Sequence, residues 1–166
     1  MTSRFEVRVA TNDDVRAASD VLQAAARFLI ERGEPLWDPR DFRCERLARF
    51  VTSGELHVTR EDGEVVGAFL LQREDELFWP HALRGEALYV HKLATHPDRA
   101  GRGAASAALR FALKRARDAN CSFVRLDCAP HPRLCAFYER FGFRRYGTDL
   151  WRVGSFEAAR YELRVS

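Results

Sequence analysis

The chain has 166 residues, of which 46% are hydrophobic and 31% charged, and its formal net charge is +3. The length suits one domain spanning residues 1–166, and the composition excludes a disordered, collagen-like or low-complexity protein. The small net charge argues against a nucleic-acid partner, and no apolar run reaches the ~20 residues of a membrane helix. The N-terminus carries no apolar secretion segment, so we expect a cytoplasmic protein that does not bind membranes.

The first half of the chain predicts a strand, two helices and a β-hairpin. Alternation of apolar and polar residues predicts three strands, at Phe5–Val9, Leu56–Arg60 and Val65–Leu71. Thr11 is a suitable N-cap for a long helix that ends at Gly33, and a shorter helix precedes Gly54. Between the second and third strands, Asp62 and Gly63 form a typical hairpin turn.

The second half predicts two more helices and the remaining strands. The strands fall at Ala87–Thr95, Phe123–Cys128, Phe143–Tyr146 and Ala159–Val165. One helix follows the first of these strands and ends near Asn120, and another runs from Pro132 to Gly142. Asp149–Glu157 is predicted to be a loop that connects the final strands. The order of elements predicts an α/β fold built around one mixed sheet.

The most informative stretch runs from Arg99 to Ser106, between a predicted strand and a predicted helix. The start of a helix leaves about four backbone N–H groups unpaired and carries a partial positive charge. Gly101 and Gly103 let the backbone approach a phosphate closely, and Arg99 and Arg102 add positive charge. The spacing is neither that of a P-loop nor that of a dinucleotide fingerprint. An ordinary glycine turn with solvated arginines is the alternative interpretation.

Two motifs resemble those of the GNAT superfamily of acyl-CoA-dependent N-acetyltransferases. The segment Ala100–Ala105 is similar to the [QR]-x-x-G-x-[GA] loop of that family, with Ala100 in the place of Gln or Arg. The segment Phe137–Phe143 is similar to the F-Y-x-x-x-G-F end of a family helix, and His131 stands near a common Asn position. The two motifs are separated by a predicted strand, and the order of elements fits the family over nearly the whole chain.

The resemblance implies a fold and an activity. The fold is a single mixed, mostly antiparallel sheet flanked by helices, in which the parallel fourth and fifth strands splay apart around the cofactor. The activity is transfer of an acetyl group from acetyl-CoA to a primary amine, directly and within a ternary complex. A small cationic amine is the expected acceptor, and a protein N-terminus or lysine is an alternative. A catalytically silent acyl-CoA sensor is a further alternative. Both a monomer and a homodimer remain open, and the resemblance implies that the final strands and the loop Asp149–Glu157 could mediate a dimer.

The resemblance also assigns residues to acetyl-CoA. These residues are Leu93, Ala94, Thr95, Arg99, Gly101, Arg102, Gly103, Ala104, Ala105, Ser106, His131 and Arg133. Backbone amides between Arg102 and Ser106 are expected to bind the pyrophosphate. An amide between Leu93 and Thr95 is expected to polarise the thioester carbonyl, as in an oxyanion hole.

The resemblance implies that Tyr138 is the general acid for the departing thiolate. Proton transfer from a tyrosine of pKa ~10 to a thiolate whose thiol has a pKa of ~8.5 is energetically unfavourable. We therefore expect either a lowered pKa of Tyr138 or a hydrogen bond without full proton transfer. The amine must lose a proton before it attacks. The resemblance places a base at position 89 or 91, and of Tyr89 and His91 only the histidine titrates near neutrality, so His91 is one candidate base and Glu86 is the other. His91 could instead be a structural histidine, and Glu86 a solvated charge or a base that acts through water.

Aromatic and acidic residues suggest where the acceptor binds. Trp37, Trp79 and Tyr89 are the predicted binding residues, because aromatic rings and carboxylates suit a cationic amine. The acidic residues nearby in sequence are Glu34, Asp38, Asp41, Glu74, Asp75 and Glu76. The four cysteines form no C-x-x-C pair, so we predict no metal site. Cys128 and Cys135 lack an evident Cys–His–acid set, which disfavours an acetyl-enzyme intermediate.

Overall fold

A computed structural model describes residues 4–166 of the chain. The predicted course of Met1–Ser3 into the first strand lies outside the described residues. The strands are β1 (Phe5–Val9), β2 (Leu56–Glu61), β3 (Glu64–Gln72), β4 (Ala87–Thr95), β5 (Phe123–Cys128), β6 (Arg144–Arg145), β7 (Trp151–Val153) and β8 (Phe156–Arg164). The helices are α1 (Val15–Glu31), α2 (Cys44–Thr52), α3 (Ala104–Asp118) and α4 (Pro132–Phe141). None of these helices has the length and apolar character that a membrane crossing requires.

The chain forms two compact units. The first unit comprises the residues up to Leu71 together with Lys92–Phe111, and the second comprises Gln72–His91 together with Ala112–Ser166. The boundary passes through β4 and α3, so both elements contribute to both units. The strand order is β1-β2-β3-β4-β5-β8-β6, and β7 pairs with β8. One domain over residues 1–166 stays a prediction.

The first unit is built on antiparallel strands covered by α1 and α2. β1 pairs with β2 from Phe5↔Glu61 to Val9↔His57, and β2 pairs with β3 across a tight turn. Asp62 and Gly63 have φ values of 51° and 84°, as the predicted Asp-Gly hairpin turn requires. The apolar stripe of α1 packs on this sheet, in a core that includes Ala18, Leu22, Leu47, Leu56 and Val58.

The second unit contains the parallel pair. β4 and β5 run parallel from Ala87↔Phe123 to Val90↔Leu126, because α3 carries the chain back between them. β5 then pairs with β8 in antiparallel register from Phe123↔Arg164 to Cys128↔Ala159. The sheet is therefore mixed and mostly antiparallel, as predicted.

The predicted loop Asp149–Glu157 is wrong in part. Within it, β7 pairs with the first residues of β8, from Trp151↔Ala158 to Val153↔Phe156. Gly154, with φ 59°, and Ser155 form the turn of this short hairpin. Three residues with a central arginine are too few to show an apolar alternation. The strand depends on its partner β8 and on a hydrogen bond of 2.7 Å from Trp151 Nε1 to Leu77 O.

Candidate active site

The glycine loop joins the end of β4 to the start of α3, as the sequence predicts. Gly101 and Gly103 have φ values of 78° and 103°, which side-chain-bearing residues rarely adopt. The N–H of Ala107 donates to Gly103 O at 3.0 Å, so the amides of residues 104–106 precede the helical hydrogen-bond ladder. Apart from Gly101 itself and its two neighbours in the chain, no described residue has an atom within 4 Å of the position that a Cβ of Gly101 would take. The loop therefore offers open backbone and helix-start amides, a combination that fits a pyrophosphate.

The two arginines of the loop contact a buried carboxylate. Glu61, at the end of β2, is 1% exposed. Arg99 lies 3.2 Å from Glu61 and 2.8 Å from Glu64, and Arg102 lies 3.9 Å from Glu61. Arg4 also forms an ion pair with Glu61. Glu61 therefore holds both loop arginines against the β2–β3 hairpin by ion pairs. If these arginines contact the cofactor, as predicted, they do so while they are paired with Glu61.

β4 changes its backbone conformation before it reaches the glycine loop. Its pairing with β5 extends to Val90↔Leu126, although β4 itself continues to Thr95. Lys92 has φ 53°, a left-handed value that interrupts the regular strand. The predicted oxyanion residues Leu93–Thr95 follow this irregularity directly. Such a break changes which way the following amides point, and it is found next to many active sites.

Tyr138 lies on α4 and is 7% exposed. Burial raises the pKa of Tyr138, and the nearby Cys128 and Asp127 raise it further. The expectation of a lowered pKa is therefore wrong, and a hydrogen bond without full proton transfer stays a prediction. His131 is the N-cap residue of the same helix, and Arg133 is exposed in its first turn.

His91 lies between two carboxylates in the second unit. Its Nε2 is 3.3 Å from Asp75 Oδ2, and its Nδ1 is 3.7 Å from Asp127 Oδ1. The side chains are 17%, 6% and 12% exposed for His91, Asp75 and Asp127, so the cluster is largely shielded from water. Asp75 Oδ1 accepts a hydrogen bond of 3.0 Å from Phe78 N, which directs Oδ2 toward the imidazole.

The sheet register explains this cluster. Val90 pairs with Leu126, so the next residues along the two strands, His91 and Asp127, are neighbours. One atom from each of His91, Asp75 and Asp127 lies within 4.8 Å of the others, a spacing that could also hold a metal ion. The two carboxylates approach different ring nitrogens, however. The arrangement therefore fits a carboxylate–imidazole–carboxylate chain better than a single ion.

Glu86 is engaged in a partly buried ion pair. Its carboxylate lies 2.8 Å from Arg125 Nη1, and Arg125 Nε lies 3.0 Å from Glu162. The hydrogen bond from Arg125 lowers the pKa of Glu86, which makes this carboxylate a weaker base than an ordinary glutamate. Arg125 also lies over the ring of Trp79 at 4.7 Å. These contacts favour a structural role for Glu86, and its role as a base stays a prediction.

The predicted acceptor residues lie in both units. In the first unit, Lys92 Nζ lies 5.6 Å from the ring of Trp37. In the second unit, Trp79 and Tyr89 are 5% and 2% exposed, with ring centroids 6.3 Å apart. Burial raises the pKa of Tyr89.

Several of the predicted acidic residues are paired with arginines. These pairs are Asp38–Arg40 at 2.7 Å, Asp41–Arg46 at 2.9 Å and Glu74–Arg84 at 2.9 Å. Asp75 is different, because the basic group beside it is His91. Of these acids, Asp75 is therefore the one whose position suits proton chemistry.

Comparison with known proteins identifies the family. The model of the acetyltransferase (GNAT) family matches residues 19–143, which is most of the chain. The chain belongs to the GNAT family of acetyltransferases. A curated relative, described as the uncharacterized N-acetyltransferase YesJ of Bacillus subtilis (strain 168), is 25% identical over 147 residues, which cover 84% of this chain and 82% of the relative.

Solved structures of GNAT proteins share the fold. A GNAT acetyltransferase from Listeria monocytogenes 4b F2365 aligns with a TM-score of 0.75 and 24% identity, over 96% of this chain and 95% of that chain. The putative acetyltransferase yncA from Salmonella typhimurium, solved with acetyl-CoA, aligns with a TM-score of 0.74 and 15% identity, over 99% and 95%. These findings confirm the predicted family and fold class. This GNAT protein is an acetyl-CoA-dependent N-acetyltransferase, as predicted.

Proposed function

We propose that this acetyltransferase moves the acetyl group of acetyl-CoA directly to the primary amine of a small molecule, and that His91 is the base. The observation that carries the proposal is the position of His91 between Asp75 and Asp127, at 3.3 and 3.7 Å. A buried imidazole between two carboxylates is a costly arrangement unless it holds or moves a proton.

The cluster can first attract the amine and then deprotonate it. A primary amine of pKa ~10 is protonated at neutral pH, so the two carboxylates attract it as an ammonium ion. The amine must then lose a proton before its lone pair can attack the acetyl carbon. The imidazole of His91 accepts that proton on one ring nitrogen, while the carboxylate at the other nitrogen stabilises the imidazolium. Asp75 and Asp127 are thus positioning residues for His91.

The remaining roles belong to the cofactor side. Bound acetyl-CoA supplies an acetyl group that is activated as a thioester. The amides of residues 104–106 and the glycine loop bind its pyrophosphate, and an amide of residues 93–95 donates to the thioester oxygen. The hydroxyl of Tyr138 donates a hydrogen bond to the departing sulfur. The raised pKa of Tyr138 supports this donor role, because the phenol stays protonated throughout the neutral range.

Direct transfer is supported by the burial and the raised pKa of Cys128. Cys128 is buried, and burial together with Cys135 raises its pKa. A protonated, enclosed thiol is a poor nucleophile. The amine itself is therefore the nucleophile in this proposal. A silent acyl-CoA sensor would have no use for the buried cluster of His91, Asp75 and Asp127.

Thiol release from acetyl-CoA in the presence of a panel of primary amines tests the proposal, with the acetylated product detected by its mass. We expect turnover with at least one small amine, and a loss of about 10²-fold in kcat for Asp127→Asn. Asp118→Asn is the matched control, because Asp118 pairs with Lys114 on the surface at 2.9 Å. Acetyl-CoA binding without turnover on any amine would support the sensor instead, and turnover on peptides alone would support a protein acetyltransferase.

A further inference from the structure

Arg160, on β8, is enclosed by aromatic rings in the second unit. Its guanidinium carbon lies 4.3 Å from the ring centroid of Trp151, 5.0 Å from that of Tyr146 and 5.2 Å from that of Trp79. Its Nη1 donates a hydrogen bond of 2.9 Å to Phe78 O. Rings and one carbonyl attract the cation but carry no full negative charge.

No carboxylate among the described residues neutralises Arg160. Its Nε is buried without an acceptor, and no described residue accepts from Nη2. Burial lowers the pKa of Arg160, which means that the protein solvates this charge less well than water does. Arg125, in the same unit, differs because it lies 2.8 Å from Glu86 and 3.0 Å from Glu162. Arg160 is thus a half-buried cation whose anion is missing from the described part of the chain.

The register places Arg160 opposite Asp127, one of the two carboxylates beside the proposed base His91. Asp127 on β5 pairs directly with Arg160 on β8, so the two side chains start from the same face of the sheet. Even so, Asp127 faces His91, while Arg160 faces the aromatic rings. One face of the sheet therefore carries an acidic cluster and an unpaired cation at adjacent positions. The expected distance between directly opposite residues of an antiparallel pair is about 4.5–5.5 Å at the Cα atoms.

A small cavity adjoins the cation. It has a volume of about 220 Å³. Its lining includes Arg160, Trp79, Trp151, Tyr146 and Glu86. This is below the ~300–1,000 Å³ of sites for drug-sized ligands, so it suits a small molecule or one end of it. Arg125 also lines the cavity and pairs with Glu86 at 2.8 Å, so the unbalanced charge of the lining is that of Arg160, which a single carboxylate would match.

We propose that Arg160 binds a carboxylate of the acceptor, so that the acceptor is a free amino acid or a similar small zwitterion. This inference rests on the proposed function, in which the cluster around His91 receives the amine. The ammonium and the carboxylate of an amino acid are separated by a few bonds. They match the acidic cluster and Arg160, which occupy neighbouring positions on the same face. The charge pattern selects against peptides, because a residue within a chain has no free α-carboxylate.

The test compares free L-amino acids with their α-carboxamides as acceptors, in the wild type and in Arg160→Gln. We expect the wild type to prefer the amino acids, and Arg160→Gln to lower kcat/KM about 10- to 100-fold for amino acids but less than about threefold for amides. Dividing each variant's value by that of the wild type removes the difference in amine basicity between the two acceptors. Arg164→Gln is the control, because Arg164 lies on the same strand over Phe123 at 5.2 Å.

A structural role for Arg160 gives a different result. If Arg160 only holds the rings together, Arg160→Gln lowers the melting temperature and affects amino acids and amides equally, which would overturn the inference. Arg160→Lys keeps the positive charge but lacks the planar guanidinium group, which can donate two parallel hydrogen bonds to a carboxylate. We expect this variant to retain part of the preference for carboxylates even where Arg160→Gln is unstable. Equal use of both acceptor types by the wild type would also contradict the inference.

A binding measurement separates this inference from the proposed function. Trp79 and Trp151 both lie against Arg160, so tryptophan fluorescence can report ligands that bind there. If no amine is acetylated but amino acids still change the fluorescence saturably, and Arg160→Gln abolishes the change, the carboxylate site stands and the transferase proposal falls. If amines are acetylated but amino acids and their α-carboxamides give the same fluorescence change and the same kcat/KM, the transferase proposal stands and the inference is wrong.

Discussion

In the proposed function, the glycine loop of the first unit and the acidic and basic sheet face of the second unit contribute in different ways. The loop acts through backbone groups, which residues such as Gly101 and Gly103 expose by adopting positive φ values. The sheet face acts through side chains, and its central residues, His91 and Asp127, lie on two different strands. The loop is therefore local in sequence, whereas the sheet face exists only in the folded protein.

This difference predicts which substitutions each region tolerates. Ala100 replaces the Gln or Arg of the family motif, yet both glycines keep the required backbone conformation. A backbone site survives such a change because a peptide N–H is the same in every residue except proline. A side-chain cluster tolerates fewer replacements, because the proposed mechanism requires each ionisable group at its own position.

His91→Gln is the variant from which we expect the largest effect. Glutamine keeps a polar group of similar reach but cannot accept and release a proton near neutrality, so kcat should fall by about 10²- to 10⁴-fold. Acetyl-CoA affinity, measured by calorimetry, should stay within about threefold of the wild type because the glycine loop is untouched. A kcat near the wild-type value would remove His91 from the mechanism and leave it a structural histidine.

Gly103→Val tests the backbone region. A branched residue at φ 103° is strained, and its side chain would crowd the phosphate, so acetyl-CoA should bind about 10- to 100-fold more weakly. The added Cβ itself would meet Phe5 Cε2 at 3.5 Å, an ordinary contact. Gly54→Val is the matched control, because Gly54 has φ 74° with no described atom near its Cβ position. Equal affinity in both variants would show that the loop does not bind the cofactor.

The local parts of the fold could be predicted from the sequence. The bounds of β5 agree with the apolar pattern of Phe123–Cys128, and the turn at Gly63 follows from its dipeptide. Asn120 ends the α3 region with φ 57°, as predicted for a left-handed cap. In each case the deciding interactions lie within a few residues, so the sequence carries the information directly.

The side-chain cluster could be predicted only in part. His91 was identifiable because a histidine titrates near neutrality, but its partner Asp127 looks like any polar residue at a strand end. Arg160 carries no local signal at all, because its rings come from residues 79, 146 and 151. The pairing of Glu86 with Arg125 has no local signal either, because Arg125 lies 39 residues away in sequence. These contacts depend on strand register and on pairing between residues far apart in sequence, which composition and motif spacing do not reveal.

Tyr138→Phe should have a smaller effect than the loss of the base. If the phenol only donates a hydrogen bond to the departing sulfur, its removal should lower kcat about 10- to 100-fold. Phenylalanine preserves the packing against Phe143, whose ring lies 5.9 Å away, so acetyl-CoA affinity should not change. A loss above about 10³-fold would indicate full proton transfer from Tyr138 in the transition state. An unchanged kcat would show that Tyr138 is only a packed aromatic residue.

Glu86→Gln should have the smallest effect on activity and a clear effect on stability. If Glu86 is a structural anion, kcat should stay within about threefold, whereas removing its charge should lower the free energy of unfolding by about 1–3 kcal/mol. The lowered pKa of Glu86 gives this stabilisation a pH dependence. It is fully present above the ordinary pKa of 4.5 and is lost as the pH falls through the lower folded-state pKa.

Urea unfolding of wild type and Glu86→Gln at several pH values measures this difference. We expect the two unfolding midpoints to differ at pH 7 and to converge as the pH falls below 4.5, because protonated Glu86 no longer pairs with Arg125. Arg125 keeps Glu162 at 3.0 Å in the variant, which limits the loss. A large fall in kcat with unchanged stability would instead make Glu86 the base. The acid cluster around His91 would then act only by attracting the amine.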